Sequence, residues 1–157
     1  MSIERARAHL EKFGFAERIQ EFSVSSATVA LAAEALGTEP RRIAKTLSFS
    51  QGDKVVLIVA AGDAKIDNKK YKARFATKAK MLAFEEVEER IGHAVGGVCP
   101  FGVKDGVEVY LDDSLKRFTT VFPAAGTAAS AIELTIPELE TASLALEWVD
   151  VTVVPEE

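Results

Sequence analysis

The sequence has few of the residues that build metal sites or covalent cross-links. Its 157 residues include one cysteine, Cys99, and two histidines, His9 and His93. A single cysteine excludes an intramolecular disulfide and is typical of a reducing compartment, so we expect a cytoplasmic protein. A structural zinc site needs about four suitably spaced nitrogen, sulfur or carboxylate ligands, and the chain offers no such spacing. We therefore expect no bound metal.

Long apolar runs are also missing. No stretch reaches the roughly 18 consecutive apolar residues that a membrane-spanning helix requires. The first residues, Met-Ser-Ile-Glu-Arg-Ala-Arg, lack the apolar region of a secretory signal peptide. Hydrophobic residues make up 48% and charged residues 27% of the chain, as in ordinary globular proteins. We expect one domain over residues 1–157 and no membrane partner.

Motifs for the common nucleotide cofactors and for serine hydrolases do not occur. The chain contains neither Gly-x-Gly-x-x-Gly nor Gly-x-x-x-x-Gly-Lys-Ser/Thr, and it has no Gly-x-Ser-x-Gly. We expect no cofactor. Cys99 is a candidate nucleophile only if His93 acts as its base, because no other base lies near it in sequence. A cysteine-dependent hydrolase is therefore one hypothesis, and a structural place for Cys99 in a site wall or in the core is the other.

Positive charge is concentrated in one segment. Seven lysines and arginines lie between Lys65 and Lys80, with Asp67 as the only carboxylate, although the whole chain carries a net charge of −5. A basic segment on an acidic protein fits a polyanionic partner that is held at one place. A solvated, lysine-rich surface is the alternative that this pattern leaves open.

The most distinctive segment is rich in glycine. Residues 92–102 read Gly-His-Ala-Val-Gly-Gly-Val-Cys-Pro-Phe-Gly. Glycine leaves backbone amides uncovered and allows a ligand to approach the chain closely. Pro100 fixes one backbone angle and favours extended geometry at the residue before it, so we expect a stiff loop. A binding loop and a tight turn between two elements both fit this pattern.

Hydrophobic periodicity predicts helices and strands that follow one another without strict βαβ alternation. This order favours an α/β domain with a mixed sheet over a doubly wound fold. The predicted helices cover residues 3–14, 28–37, 68–75, 85–91 and 135–143, with Thr28 and the Thr135–Glu138 capping box as start signals. The predicted strands cover residues 18–23, 44–50, 54–61, 107–111, 119–122, 131–136 and 148–153.

Three motifs, in this order along the chain, resemble the YbaK/ProRS-associated family of aminoacyl-tRNA editing domains. They are Arg42-Ile43-Ala44-Lys45-Thr46-Leu47-Ser48-Phe49, then Gly96-Gly97-Val98-Cys99-Pro100-Phe101-Gly102, then Tyr110-Leu111-Asp112-Asp113-Ser114-Leu115 with Ala124-Ala125-Gly126 after it. The resemblance covers nearly the whole chain. It implies a compact α/β domain whose mixed, strongly curved sheet is flanked by helices.

The resemblance also implies an activity and partners. Such a domain hydrolyses the ester that joins a wrong amino acid to the 3′-terminal adenosine of tRNA. The expected substrate is a mischarged aminoacyl-tRNA that carries Ala, Ser, Thr or Cys, with tRNA-Pro as a candidate tRNA and a prolyl-type synthetase as a candidate partner. Because no synthetase body is recognisable, we expect an editor that acts in trans. A non-catalytic module that binds tRNA or a synthetase is the alternative.

Site residues follow from the same resemblance. Lys45 falls on the family's lysine and Gly96 to Pro100 on its Gly-x-x-x-Pro loop, so the predicted catalytic residues are Lys45, Gly96 and Gly97. The predicted substrate contacts are Thr28, Thr46, Val98, Cys99, Pro100, Phe101, Gly102, Asp112, Ala124 and Gly126. The predicted tRNA contacts are Lys65, Lys69, Lys70, Lys72 and Arg74.

The chemistry fits these residues without a side-chain nucleophile. An aminoacyl ester is already activated, and backbone amides between Gly96 and Cys99 can stabilise the oxyanion that forms during hydrolysis. Lys45 can bind the terminal phosphate or position the substrate, as lysines commonly do. We therefore expect Lys45 and the 96–102 segment to face each other across one small cavity.

Overall fold

A computed structural model describes residues 2–22 and 28–155 of the chain. Five α-helices, ten strands and four short 3₁₀ helices follow one another along these residues without strict alternation. The helices are α1 (Ser2–Glu11), α2 (Val29–Leu36), α3 (Asn68–Phe75), α4 (Val87–Ile91) and α5 (Ile136–Ser143). The strands are β1 (Gln20–Glu21), β2 (Ile43–Gln51), β3 (Lys54–Ala61), β4 (Lys65–Ile66), β5 (Glu108–Asp112), β6 (Thr120–Pro123), β7 (Ser130–Ala131), β8 (Leu134–Thr135), β9 (Glu147–Val149) and β10 (Thr152–Val153).

Six strands form the central sheet in the order β8-β6-β2-β3-β5-β9. The β2–β3 and β6–β8 pairs are antiparallel, whereas β2–β6, β3–β5 and β5–β9 are parallel. The sheet is curled, and two-stranded pairs, β1–β7 and β4–β10, lie beside it. The α/β class with a mixed, curved sheet and flanking helices is thus confirmed.

The core is built around β3, whose residues from Val55 to Ala61 are all apolar. Every residue of β3 after Lys54 is buried. Val55, Leu57 and Val59 pack into one hydrophobic cluster, while Val56 and Ile58 pack into a second cluster on the other face. Each such side chain contributes roughly 1.5–3 kcal/mol when it is fully buried. Two layers therefore hold the strand that pairs with β2 and carries Ala60 opposite Lys45.

The capping residues seen in the sequence lie at the ends of helices α2 and α5, as predicted. Thr28 caps α2 by accepting a hydrogen bond from the Leu31 amide, and Gly37 ends the helix in a left-handed conformation with φ of 68°. Thr135 and Glu138 form the predicted capping box at the start of α5. These caps work because the first amides of a helix have no partner inside it. No helix within the described ranges is long and apolar enough to cross a lipid bilayer.

Two predicted strands are each divided in the structure. The strand predicted over residues 131–136 becomes β7, paired with β1, and β8, paired with β6. The strand predicted over 148–153 becomes β9 in the main sheet and β10 beside β4. At this second break, the Val151 amide donates to Asp112 Oδ1 at 3.0 Å, so the chain leaves the β5 ladder. The strand predicted over residues 18–23 corresponds to the shorter β1, Gln20–Glu21, and residue 23 lies outside the described residues.

Candidate functional site

A cavity of about 300 Å³ opens where β2 begins. The parallel pairing of β2 with β6 sets Ile43 opposite Phe122 and Ala44 opposite Pro123, which brings Ala124 beside Lys45. Helix α2 and the glycine-rich loop close the remaining sides. The described lining residues are Thr28, Val29, Ala32, Ile43, Ala44, Lys45, Thr46, Leu47, Val87, Val95, Gly96, Val98, Phe122, Ala124, Ser130 and Ala131.

Lys45 is the only ionisable side chain among these described lining residues. It is half-buried, and its ammonium group donates to the carbonyls of Ala64, in close contact, and Gly62, at 3.4 Å. Burial lowers the pKa of Lys45, and the neighbouring Asp63 opposes this shift while Lys65 reinforces it. A lysine ammonium carries three N–H donors, so two carbonyl partners leave one donor for a ligand.

The carboxylate nearest to Lys45 in sequence is held by another cation. Asp63 accepts from both terminal nitrogens of Arg117, at 2.5 and 3.1 Å. This contact lowers the pKa of Asp63, although burial acts in the opposite direction. Within residues 2–22 and 28–155, no carboxylate lies in ion-pair contact with Lys45. The cavity therefore holds a cation whose charge is available to an anionic ligand.

The first half of the glycine-rich loop forms the opposite wall. Gly96 and Val98 line the cavity, and the structure shows no acceptor for either amide among the residues it describes. The Gly97 amide, by contrast, donates to the Ala94 carbonyl at 2.9 Å. Gly97 also packs against the Gly126 turn, where an added Cβ would lie 2.5 Å from the Gly126 carbonyl oxygen. Gly97 thus brings two backbones together, while its neighbours face the cavity.

The second half of the loop is buried instead. Cys99 and Phe101 have no exposed surface, and Pro100 is buried as well. His93 Nε2 donates to the Phe101 carbonyl at 2.6 Å and lies 3.6 Å from Cys99 Sγ. Burial raises the pKa of the Cys99 thiol to about 12, although backbone contacts with Phe101 and Gly126 oppose the shift. Burial also lowers the pKa of His93. The pair is therefore an uncharged core contact in the structure, away from the cavity surface.

Asp112 also lies in the interior. Its carboxylate is fully buried and accepts from the Ser114 amide at 2.9 Å, the Val151 amide at 3.0 Å and Thr152 Oγ1 at 2.7 Å. These bonds cap the 3₁₀ turn after β5 and fix the passage from β9 to β10. The structure thus does not bring Asp112 to the cavity, because a buried carboxylate needs its hydrogen-bond partners inside the protein.

Three of the remaining predicted contacts lie on the cavity, and two lie behind or outside it. Thr28 and Ala124 line the cavity, and so does Thr46, whose Oγ1 is buried and has no partner among the described residues. Gly126 is buried behind Gly97, and Gly102 lies against Arg5 on the other side of the loop. The apolar wall formed by α2, Phe122 and Ala131 was not predicted, because wall residues and core residues look alike in a sequence.

In the basic segment, some side chains are exposed to solvent and others form ion pairs with carboxylates. Lys65, Lys69 and Lys72 are exposed. Lys70 contacts Asp150 at 3.0 Å and the Thr152 carbonyl at 2.8 Å, and Arg74 forms a close ion pair with Glu147. Lys65 directly follows Ala64, whose carbonyl accepts from Lys45. The segment therefore begins at the cavity and leads away from it.

Known proteins resemble this chain along most of its length. The model of the aminoacyl-tRNA editing domain matches residues 24–142. The uncharacterized protein YwhH of Bacillus subtilis is 55% identical over 152 residues, which cover 96% of this chain and 97% of YwhH. A crystal structure described as a candidate trans-editing enzyme for prolyl tRNA synthetase superposes with a TM-score of 0.87 at 30% identity, and it covers 97% of both chains.

A synthetase contains a related segment. The proline–tRNA ligase of Bacillus velezensis is 31% identical over 82 residues, which are 52% of this chain and 14% of the ligase. The shared region is thus a small part of the larger enzyme. Since the family model spans more than half of the chain and the fold agrees, this chain belongs to the aminoacyl-tRNA editing domain family.

Proposed function

We propose that this protein is a trans-acting deacylase that hydrolyses the ester of a tRNA mischarged with a small amino acid. The observation that carries the proposal is one half-open cavity lined by Lys45, Gly96 and Val98 together. Ligand cavities span about 300–1,000 Å³, and this one, at about 300 Å³, lies at the lower limit. The four small amino acids of the proposal, Ala, Ser, Thr and Cys, come from the family resemblance, because a cavity of this volume also admits larger side chains.

Hydrolysis proceeds in this proposal by attack of water on the acyl carbon of the ester. The amides of Gly96 and Val98 donate to the oxygen that becomes negatively charged, and one such donor is worth about 2.7–4 kcal/mol in other enzymes. The acyl carbon–oxygen bond then breaks, the ribose oxygen takes up a proton, and the free amino acid leaves. The described lining offers no histidine or carboxylate, so a ribose hydroxyl of the substrate relays the water's proton.

The charged groups orient the tRNA. Lys45 holds the terminal phosphate at the cavity, because its charge has no carboxylate contact among the described residues. Lys65, Lys69 and Lys72 are exposed and continue from this point, so they contact the phosphates of the acceptor end. Lys70 and Arg74 are engaged in ion pairs and contribute less. Binding of this kind weakens as salt concentration rises.

The choice of tRNA-Pro is supported by the proteins to which this chain is similar. A segment of proline–tRNA ligase is similar to half of this chain, and the similar crystal structure is described in relation to prolyl tRNA synthetase. A synthetase pocket separates amino acids that differ by one methylene only about 10–200-fold, so a second hydrolytic site raises fidelity. We therefore include tRNA-Pro charged with a small wrong amino acid in the proposal, with a prolyl-type synthetase as the enzyme whose errors are corrected.

A panel of mischarged tRNAs tests the proposal. Alanyl, seryl, threonyl and cysteinyl esters of tRNA-Pro are incubated with the protein, and the loss of the ester is followed against buffer. Lys45→Ala should lower kcat/KM roughly 10- to 100-fold, because loss of a hydrogen bond to the charged phosphate costs about 1.5–3 kcal/mol. Lys54→Ala removes an exposed lysine at the far end of the β2–β3 hairpin and should leave the rate unchanged.

The outcomes separate the alternatives. If no ester is cleaved faster than in buffer, the deacylase proposal fails. Salt-dependent binding of tRNA without cleavage would instead identify a non-catalytic tRNA-binding module.

The rate should also depend on pH through Lys45. Burial lowers the pKa of this lysine, so its ammonium group is lost at a lower pH than that of an exposed lysine. The positive charge is present below this pKa and disappears as pH rises through it. The enzymatic rate, corrected for hydrolysis in buffer, should therefore decline on the alkaline side. A rate that rises steadily with pH would exclude a required ammonium group.

A further inference from the structure

A second cavity, of about 490 Å³, lies on the other side of the glycine-rich loop. Pro100 and Gly102 line it, whereas Gly96 and Val98 line the first cavity. One face of α1 forms its opposite wall through Arg5, Ala8 and His9, which recur at helical spacing, and Lys12 directly follows the helix. The other described lining residues are Val103, Lys104, Asp105, Gly106, Val107, Val109, Ser143 and Leu144.

The charge of this cavity is positive although the chain is acidic. Three cations, Arg5, Lys12 and Lys104, face one carboxylate, Asp105. Arg5 donates through Nε to the Gly102 carbonyl at 2.8 Å, and Lys104 donates to the Glu89 carbonyl at 2.5 Å. Among residues 2–22 and 28–155, neither Arg5 nor Lys12 has a carboxylate in ion-pair contact. The terminal guanidinium nitrogens of Arg5 and the ammonium of Lys12 thus remain for an anion.

The position of Arg5 is fixed before any ligand arrives. Its guanidinium lies across Gly92, where an added Cβ would be 2.7 Å from Arg5 Nε. The bond to Gly102 holds the same group from the other end of the loop. A guanidinium fixed in this way loses little conformational entropy when it binds a phosphate, and its planar donors match phosphate oxygens.

The cavity also has an apolar side. Ala8, Pro100, Val103 and Leu144 supply it. Leu144 ends α5 with φ of 56° and is 63% exposed. A left-handed residue is a common way to end a helix, and here it leaves the leucine side chain exposed to solvent. The structure therefore holds an exposed leucine at the rim of a basic cavity.

We propose that this second cavity binds a nucleotide phosphate. Arg5 and Lys12 contact the phosphate, and the base packs on the apolar side of the cavity, against Val103 and Leu144. The combination of cations with apolar side chains favours a ligand that has both an anion and an apolar ring. A free mononucleotide and the 5′-terminal nucleotide of an RNA share this chemistry. The site uses no residue of the first cavity, so its test is independent of the deacylation assay.

Titration of the whole protein with AMP and with inorganic phosphate, followed by amide NMR, tests the site. AMP should shift the amides of Val103, Gly106 and Leu144 and should bind more tightly than phosphate alone. Arg5→Gln should weaken AMP binding roughly tenfold, as loss of a charged hydrogen bond does. Lys12→Gln should weaken it roughly threefold, since this side chain is exposed.

Two further variants complete the design. Asp105→Asn removes the opposing carboxylate and should tighten AMP binding. Lys54→Gln changes an exposed lysine at the turn of the β2–β3 hairpin, outside the lining of both cavities, and should have no effect. Lys12→Gln keeps the proposal testable even if Arg5→Gln fails to fold, because the Lys12 side chain is exposed.

The same titration can overturn the proposal. Absence of a saturable shift in the millimolar range would do so. Shifts at Gly96 and Val98 that disappear in Lys45→Ala would also do so, because AMP would then occupy the first cavity. If AMP binds as proposed, a short RNA helix with a 5′-phosphate that displaces it, while the 5′-hydroxyl form does not, identifies an RNA end as the ligand. Failure of both helices to displace AMP identifies a free nucleotide.

Discussion

The two halves of the glycine-rich loop are neighbours in sequence but meet different surroundings. Gly96 and Val98 line the cavity, whereas Cys99 and Phe101 have no exposed surface. The loop crosses from the surface of the cavity into the core within a few residues. The comparison teaches that one motif can present its first residues to a cavity while the buried side chains of its later residues anchor the loop in the core.

Lys45, at the cavity, and Cys99, in the core, differ in the same way as the two halves of the loop. Burial lowers the pKa of Lys45 beside the cavity, yet carbonyl contacts and Asp63 support its charge. Burial raises the pKa of Cys99 to about 12, so the thiol stays neutral in the core. The half-buried Lys45 thus keeps hydrogen-bond acceptors and solvent near its ammonium group, whereas the fully buried Cys99 thiol has no solvent contact and stays neutral. Three substitutions test this division.

Gly97→Ala should have the largest effect. The new Cβ would lie 2.5 Å from the Gly126 carbonyl oxygen and 2.6 Å from Thr127 Cα, so backbone must move. A displacement of about 1 Å at a reacting centre can lower the rate roughly 100-fold. Deacylation rates and thermal unfolding, measured side by side, check both consequences.

A matched control is Gly106→Ala. Gly106 has φ of 90° and open space around it, so alanine there strains the backbone without a clash. It should lower stability and preserve deacylation. Normal activity in a folded Gly97→Ala protein would contradict the proposed close packing.

His93→Leu should have an intermediate effect. The variant removes the imidazole donor to the Phe101 carbonyl and leaves only the longer contact from the Cys99 thiol, at 3.7 Å, so stability should fall by about 1–3 kcal/mol. Because His93 anchors the loop and lies away from the basic segment, kcat should fall while KM for tRNA stays near the wild-type value. His93→Gln keeps an N–H donor and should recover part of the rate. Equal rates for the leucine and glutamine variants would show that this hydrogen bond does not position the loop.

Cys99→Ala should have the smallest effect on activity. The thiol is fully buried and outside the cavity, so the rate should remain close to that of the wild type. Loss of the buried sulfur should lower stability by roughly 1 kcal/mol. A folded Cys99→Ala protein with no deacylase activity would revive the hypothesis of a cysteine nucleophile based on Cys99 and His93.

Features that depend on residues close together in the sequence could be predicted, whereas features that depend on distant residues could not. The Thr135–Glu138 capping box and the Thr28 cap were predictable, because each involves atoms within one helical turn. The divided strands were not, because the break at Val151 depends on a hydrogen bond to Asp112, far away in sequence. Within the site, Lys45, Gly96 and Val98 could be chosen from motifs. Their motif neighbours Cys99 and Phe101 could not be separated from them, since a motif does not show which side of a loop faces the core.

By itself the sequence determined the helix caps, the doubly buried strand β3, the basic segment and the family to which the chain belongs. These features depend on residue type, short spacing or similarity along the chain. Tertiary structure alone decided which amides reach the cavity, that Asp112 and Cys99 are buried, and that a second, basic cavity lies behind the loop. The reason is that burial and charge compensation depend on which distant segments pack together. The parallel pairing of β2 with β6 forms the first cavity, and the contact of Val151 with Asp112 fixes the buried carboxylate.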